Sequence, residues 1–121
     1  METKPEIQDN YVTTSSGLKY KILKKGTGRT AQNGDEVLIF ETVSYHNGKM
    51  LFSNENTSNP VKVLIGGNQA TSATDEALRC MKTGEIRELV APPELVKRKF
   101  YPPDLSPDST LVIKLILHEI L

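Results

Sequence analysis

The chain has 121 residues, with fifteen basic and fifteen acidic side chains that cancel to a formal charge of zero. That length predicts one domain with a core of its own, and the balanced charge provides no field for nucleic acid or an anionic membrane. The longest apolar run, LVIKLIL at 111–117, is split by Lys114 and too short to span a bilayer; the single cysteine, Cys80, excludes an internal disulfide framework.

Residues 1–15 are polar and without period, which predicts a flexible N-terminal tail ahead of a domain over 16–121. METKPEIQDN lacks the basic and apolar regions of a secretory signal, so a cytoplasmic location and export after signal removal both fit. Leu18, Tyr20 and Ile22 alternate before Gly26 and Gly28, the pattern of a strand and its stop. Val37, Ile39 and Val43 share one parity, and Asn47-Gly48 is a strong hairpin signal, so Glu36–Tyr45 and Lys49–Ser53 are expected to pair antiparallel. PVKVLI at 60–65 reads as a further strand with its proline at the first position.

Between Gly66 and Glu85 the pattern changes to a short helix. Ser72 with Asp75 has the spacing of a capping box, and Ala73, Ala77, Leu78 and Met81 fall on one face. Cys80 reads as a small buried residue of that helix. EIRELVA is a strand ended by Pro92-Pro93; a loop holding five of the seven prolines follows, and TLVIKLILHEIL closes the chain as a long strand. The expected fold class is α+β: a five- to six-stranded twisted antiparallel sheet around one short helix.

His46 and His118 have no partners at ligand spacing, so neither a metal nor another cofactor is expected; the hairpin leaves His46 solvated and the last strand puts His118 at an edge or surface. No nucleophile triad, phosphate loop or CxxC motif occurs. Asp75-Glu76 suits the first turn of a helix electrostatically. Lys97-Arg98-Lys99, followed by Phe100-Tyr101, reads either as a solvated loop or as a binding rim.

Four motifs in order resemble the FKBP-type peptidyl-prolyl isomerase family: GLKYKILKKGTGRTAQNGDEV, HNGKMLFSN, TDEALRCMKTGEIRELVAPPEL and LSPDSTLVIKLILHEI. The resemblance covers about 12–120 and implies a sheet wrapped around the helix with a hydrophobic prolyl pocket between them. It also implies where that pocket's residues stand. Thr74 occupies the position of the floor tryptophan, Leu51-Phe52 that of a phenylalanine–aspartate pair, and Glu41 that of the tyrosine bonded to the aspartate. Val61 and Ile113 stand for aromatics, Ala70-Thr71 for a valine–isoleucine pair, and Lys97 for the rim tyrosine, with Val96 and Leu105 beside it. The scaffold motifs match while nearly every pocket residue departs.

Those departures imply a prolyl-peptide- or protein-binding, chaperone-like module with weak or lost catalysis. The alternative is an active isomerase with a rearranged hydrophobic pocket, floored by Phe52 and rimmed by Phe100 and Tyr101. Lys97, Arg98, Phe100 and Tyr101 are the expected partner contacts, and a proline-containing peptide or protein segment is the expected partner.

Overall fold

A computed structural model describes residues 11–98, 101, 103 and 105–121. Two long strands form its centre, β4 (Glu36–Tyr45) and β9 (Leu111–Ile120), paired antiparallel so that Glu41 lies opposite Leu115 and Val43 opposite Ile113. On the far side of β9 lie β8 (Ile86–Ala91), β2 (Lys19–Lys24) and the two-residue β1 (Val12–Thr13). The other side of β4 is shared end to end. β6 (Val61–Leu64) pairs its Glu36–Ile39 half, and β5 (Met50–Ser53) pairs Thr42–Ser44. These seven strands make the main sheet; β3 (Thr27–Thr30) and β7 (Lys82–Thr83) form a separate ribbon. The longer strands are those expected from the sequence, and β1, β3 and β7 are additional. β1 falls in the stretch expected to be a flexible tail: Val12 pairs Tyr20 and Thr13 pairs Lys19.

Alternation determines which face is inside. Leu111, Ile113, Leu115 and Leu117 of β9 are buried, as are Leu89 and Ala91 of β8 and Val37, Ile39 and Val43 of β4. Against this face packs α1 (Ser72–Leu78), contributing Ala73, Ala77 and Leu78, with Met81 just beyond its end. A helix of this length is marginal in isolation, so the burial of its apolar stripe is what holds it.

Two details of α1 depart from expectation. The Ser72/Asp75 capping box does not form: the helix begins at Ser72 with Thr71 as N-cap and no side-chain cap. The Asp75 carboxylate instead accepts from the Gly66 N–H at 2.8 Å and from Arg79 Nη2 at 2.8 Å, fastening the preceding loop to the helix. Cys80 is exposed rather than buried, because α1 ends at Leu78 and the thiol falls in the following turn. His46 and His118 are both exposed as expected, His118 edge-on to Phe40.

The hairpin between β4 and β5 closes at Asn47-Gly48, where Gly48 has φ +98° and donates its N–H to Tyr45 O at 2.9 Å. Gly26 is needed for close approach: a Cβ there would stand 2.6 Å from the Thr83 carbonyl oxygen of β7.

Candidate functional site

Between β4, β6, α1 and the chain leaving β8 lies a cavity of about 170 Å³. Its walls are the inward side chains of Ile39, Val43, Val63, Leu111 and Ile113, with Thr74 and Ala70 on the helix side. It continues outward, through Glu41, Val43, Val61 and Arg98, into a groove of about 520 Å³ lined by Met50, Leu51, Phe52 and Leu105.

The cavity exists because small residues stand at the helix entry. Thr74 is buried, only 4% exposed, yet its side chain is too short to reach the sheet. Ala70 and Thr71 line the same space. Aliphatic β-branched side chains supply most of the remaining wall, with Glu41, Gln69, Thr71 and Arg98 adding polar groups to it.

Glu41 is the principal interruption. It occupies an inward position of β4 between Ile39 and Val43, where parity calls for an apolar side chain. Its Oε1 is buried without a hydrogen-bond partner among the described residues. Burial pushes the carboxyl above its ordinary range, against the opposing pull of the Arg98 guanidinium.

The backbone at Glu41 is held by a residue that sequence reasoning missed. β5 and β6 leave a gap in the ladder at Phe40–Glu41, and Asn54 fills it. Asn54 Oδ1 accepts from the Glu41 N–H at 2.8 Å, and Asn54 N–H donates to the Glu41 carbonyl at 3.2 Å. Its Nδ2 reaches the Asn59 carbonyl at 3.1 Å, so the buried amide finds partners at both ends. The only signal in the sequence is a position, the first polar residue after the hairpin strand.

Of the residues assigned by resemblance, Glu41, Val61, Ala70, Thr71, Thr74, Val96 and Ile113 line the cavity, and Leu51, Phe52 and Leu105 line the groove. Phe52 is 48% exposed on the groove's outer wall and does not floor the cavity. Lys97 lines neither space. It is exposed in a shallow depression with Pro93, Tyr101 and Pro107, while Arg98, also exposed, lines both that depression and the cavity. Tyr101 is half-buried against the core, and its hydroxyl accepts from the Arg98 N–H at 3.3 Å. Phe100 lies outside the described residues. Ile39, Val43, Val63, Gln69 and Leu111 complete the lining without having been anticipated. Among the described residues no three potential metal ligands come together.

The family model described as FKBP-type peptidyl-prolyl cis-trans isomerase matches residues 27–118. The chain is 34% identical over 106 residues to the chloroplastic peptidyl-prolyl cis-trans isomerase FKBP19 of Arabidopsis thaliana, covering 78% of this chain and 41% of that protein. It is 29% identical over 108 residues to the FKBP-type peptidyl-prolyl cis-trans isomerase FkpA of Escherichia coli K12, covering 89% and 39%. The chain thus spans about two fifths of the length of these relatives. The crystal structure of FkpA from Escherichia coli superposes with a TM-score of 0.82 at 27% identity, over 95% of this chain and 53% of that one. AtFKBP13 superposes with a TM-score of 0.81 at 23% identity, over 92% and 98%, a likeness of fold.

Proposed function

This chain belongs to the FKBP-type peptidyl-prolyl cis-trans isomerase family, and on that premise we propose that its cavity and groove bind a proline-containing peptide or protein segment, with catalysis weak or lost. Rotation of a prolyl amide must overcome lost resonance, a barrier of about 18–20 kcal/mol for a peptide bond. The twisted amide is less polar than the planar one, so a dry, close-fitting pocket favours it without acid, base or nucleophile. Such catalysis depends on shape and desolvation, and both are compromised here.

The observation that carries the reading is Glu41 in the cavity wall, whose Oε1 has no hydrogen-bond partner among the described residues. A twisted prolyl amide offers that oxygen no N–H, so closing a prolyl ring over it leaves a buried acceptor unsatisfied, a cost of about 1–3 kcal/mol. Thr74 adds to this, because a short side chain at the floor leaves space where contact with the ring would count. The groove retains what binding needs: Met50, Phe52 and Val61 are exposed apolar side chains around its mouth.

The test is a prolyl-tetrapeptide isomerisation assay run beside suppression of aggregation of an unfolded client, with Escherichia coli FkpA as the reference in both. The expected result is little acceleration of isomerisation together with measurable protection of the client. Isomerisation as fast as the reference would reject the loss of catalysis and favour a rearranged but active pocket.

A further inference from the structure

Whether an apolar ligand can close the cavity depends on the charge of one side chain in its wall. We propose that a proline-containing segment binds the form of the protein in which Glu41 is a neutral carboxylic acid, so that binding takes up a proton and tightens as pH falls. The inference rests on the reading that cavity and groove together are the binding site.

Glu41 lines both the cavity and the groove. The residue is part-buried, but its Oε1 is enclosed and has no hydrogen-bond partner among the described residues. A segment that fills groove and cavity together removes the solvent that still reaches the side chain, and the charged form loses most by that. A prolyl amide cannot offset the loss. It has no N–H and its carbonyl is an acceptor, so it brings a carboxylate no hydrogen bond. The neutral acid has no charge to desolvate, and its O–H is a donor that a carbonyl of the segment complements.

Burial already pushes the Glu41 carboxyl above its ordinary range in the free protein, with the exposed Arg98 opposing that shift. Arg98 is the one other charged residue that lines either space among the described residues. The charges on the surrounding elements are directed elsewhere. Asp75 of α1 binds the Gly66 N–H and Arg79, and Glu55 binds Thr42 and Lys114 of β9. Lys62 of β6 alternates with the lining residues Val61 and Val63, and Lys97 lies in the shallow depression. Glu41 is therefore the carboxyl that a bound segment covers, and its proton is the one coupled to binding.

The blocked peptide acetyl-Ala-Leu-Pro-Phe-amide has no titratable group, so any pH dependence of its binding belongs to the protein. It is titrated into ¹⁵N-labelled protein between about pH 5 and 8 and followed at the amides of Val61, Ala70 and Thr71. Affinity is expected to rise about tenfold or more from the top of that range to the bottom. Calorimetry in two buffers of different ionisation enthalpy should show a proton taken up with the peptide where affinity changes most steeply. Glu41→Gln, which keeps a donor without the charge, should bind at every pH about as tightly as the unmodified protein does at the acidic end. Glu41→Leu should likewise bind without pH dependence. The exposed His46 and His118 line neither space and are common to all three proteins. Affinity that is independent of pH in the unmodified protein, or that rises with pH, would overturn the inference while leaving the binding site intact. A pH dependence undiminished in both variants would overturn it as well, since another group would then be titrating. No shift at these amides at any pH would overturn both the inference and the binding reading beneath it.

Discussion

Two carboxylates that face the interior, Glu85 in the turn after the helix and the part-buried Glu41 in the cavity wall, are treated in opposite ways. Glu85 is 5% exposed, and both of its oxygens have partners: Oε2 meets Arg87 Nε at 2.5 Å and Oε1 accepts from the Lys82 N–H at 3.0 Å. Arg87 in turn donates to the Cys80 carbonyl at 3.1 Å and lies over the Tyr20 ring, 4.3 Å from its centre. This cluster ties the turn after α1 to β8 and β2, with each charge answered within the fold. Glu41 is part-buried, with one oxygen that has no hydrogen-bond partner among the described residues. A fold that pairs one carboxylate so fully and leaves an oxygen of another open has room for an outside group at the second.

The largest effect should come from breaking the paired end. Arg87→Met leaves the Glu85 carboxylate buried without its counter-charge and should cost about 3–5 kcal/mol in urea unfolding. Replacing both residues by apolar ones of similar volume should recover much of that loss. A cost below about 1 kcal/mol for Arg87→Met alone would place the pair among ordinary surface contacts and dissolve the contrast.

The open end should respond with the opposite sign. Glu41→Leu removes the unsatisfied acceptor and should stabilise the protein by about 1–3 kcal/mol at neutral pH. Because burial raises the Glu41 pKa in the folded chain, with Arg98 as the opposing charge that faces it, the folded state holds this proton where the unfolded state has lost it. Stability from this group therefore falls as pH rises from the ordinary glutamate range through the raised folded value. Glu41→Gln cannot ionise, so its advantage over the unmodified protein should be present at neutral pH and shrink on acidification below the ordinary glutamate range. Asp35, held low by Arg29, and Glu55, held low by Lys114, titrate with the opposite sense but are common to both proteins. Paired urea melts across that range check the prediction; an advantage independent of pH would mean that Glu41 is solvated.

The same contrast explains how much could be read from the sequence. β4 was legible to the residue, since apolar alternation and the Asn47-Gly48 turn are local signals, whereas Glu41 was singled out only by the resemblance. β1, β3 and β7 were not, being short and, in β3, exposed throughout. Nor were the partners of Asp75 and the role of Asn54, because both depend on where a distant backbone group arrives. The Gly66 N–H reaches Asp75 only after the loop folds back, and Asn54 is needed only because two strands share one edge of β4. Of the positions the resemblance named, Glu41, Val61, Ala70, Thr71, Thr74, Val96 and Ile113 line the cavity and Lys97, at the rim tyrosine's position, does not. Arg98, expected only as a partner contact, is exposed and lines the cavity and groove as well as the depression that holds Lys97.

The smallest effect should come from filling the open end. Thr74→Trp adds a ring at the cavity floor, in a chain that otherwise has no tryptophan, so the substitution supplies its own fluorescent probe. An apolar cavity of about 150 Å³ takes up a benzene ring, and this one is about 170 Å³, so most of an indole has room while its edge must press on neighbours. Added apolar contact favours the variant, and overpacking, which typically costs about 1–3 kcal/mol, opposes it; the two should leave stability within about 1 kcal/mol of the starting protein. The indole should emit as a buried ring and lose intensity or shift when a segment enters the groove. Isomerase activity should not rise, because Glu41 and Arg98 still present charge to the same space. A Thr74→Trp protein destabilised as severely as Arg87→Met would mean that the cavity cannot receive a ring, and that the open end is as rigidly committed as the paired one.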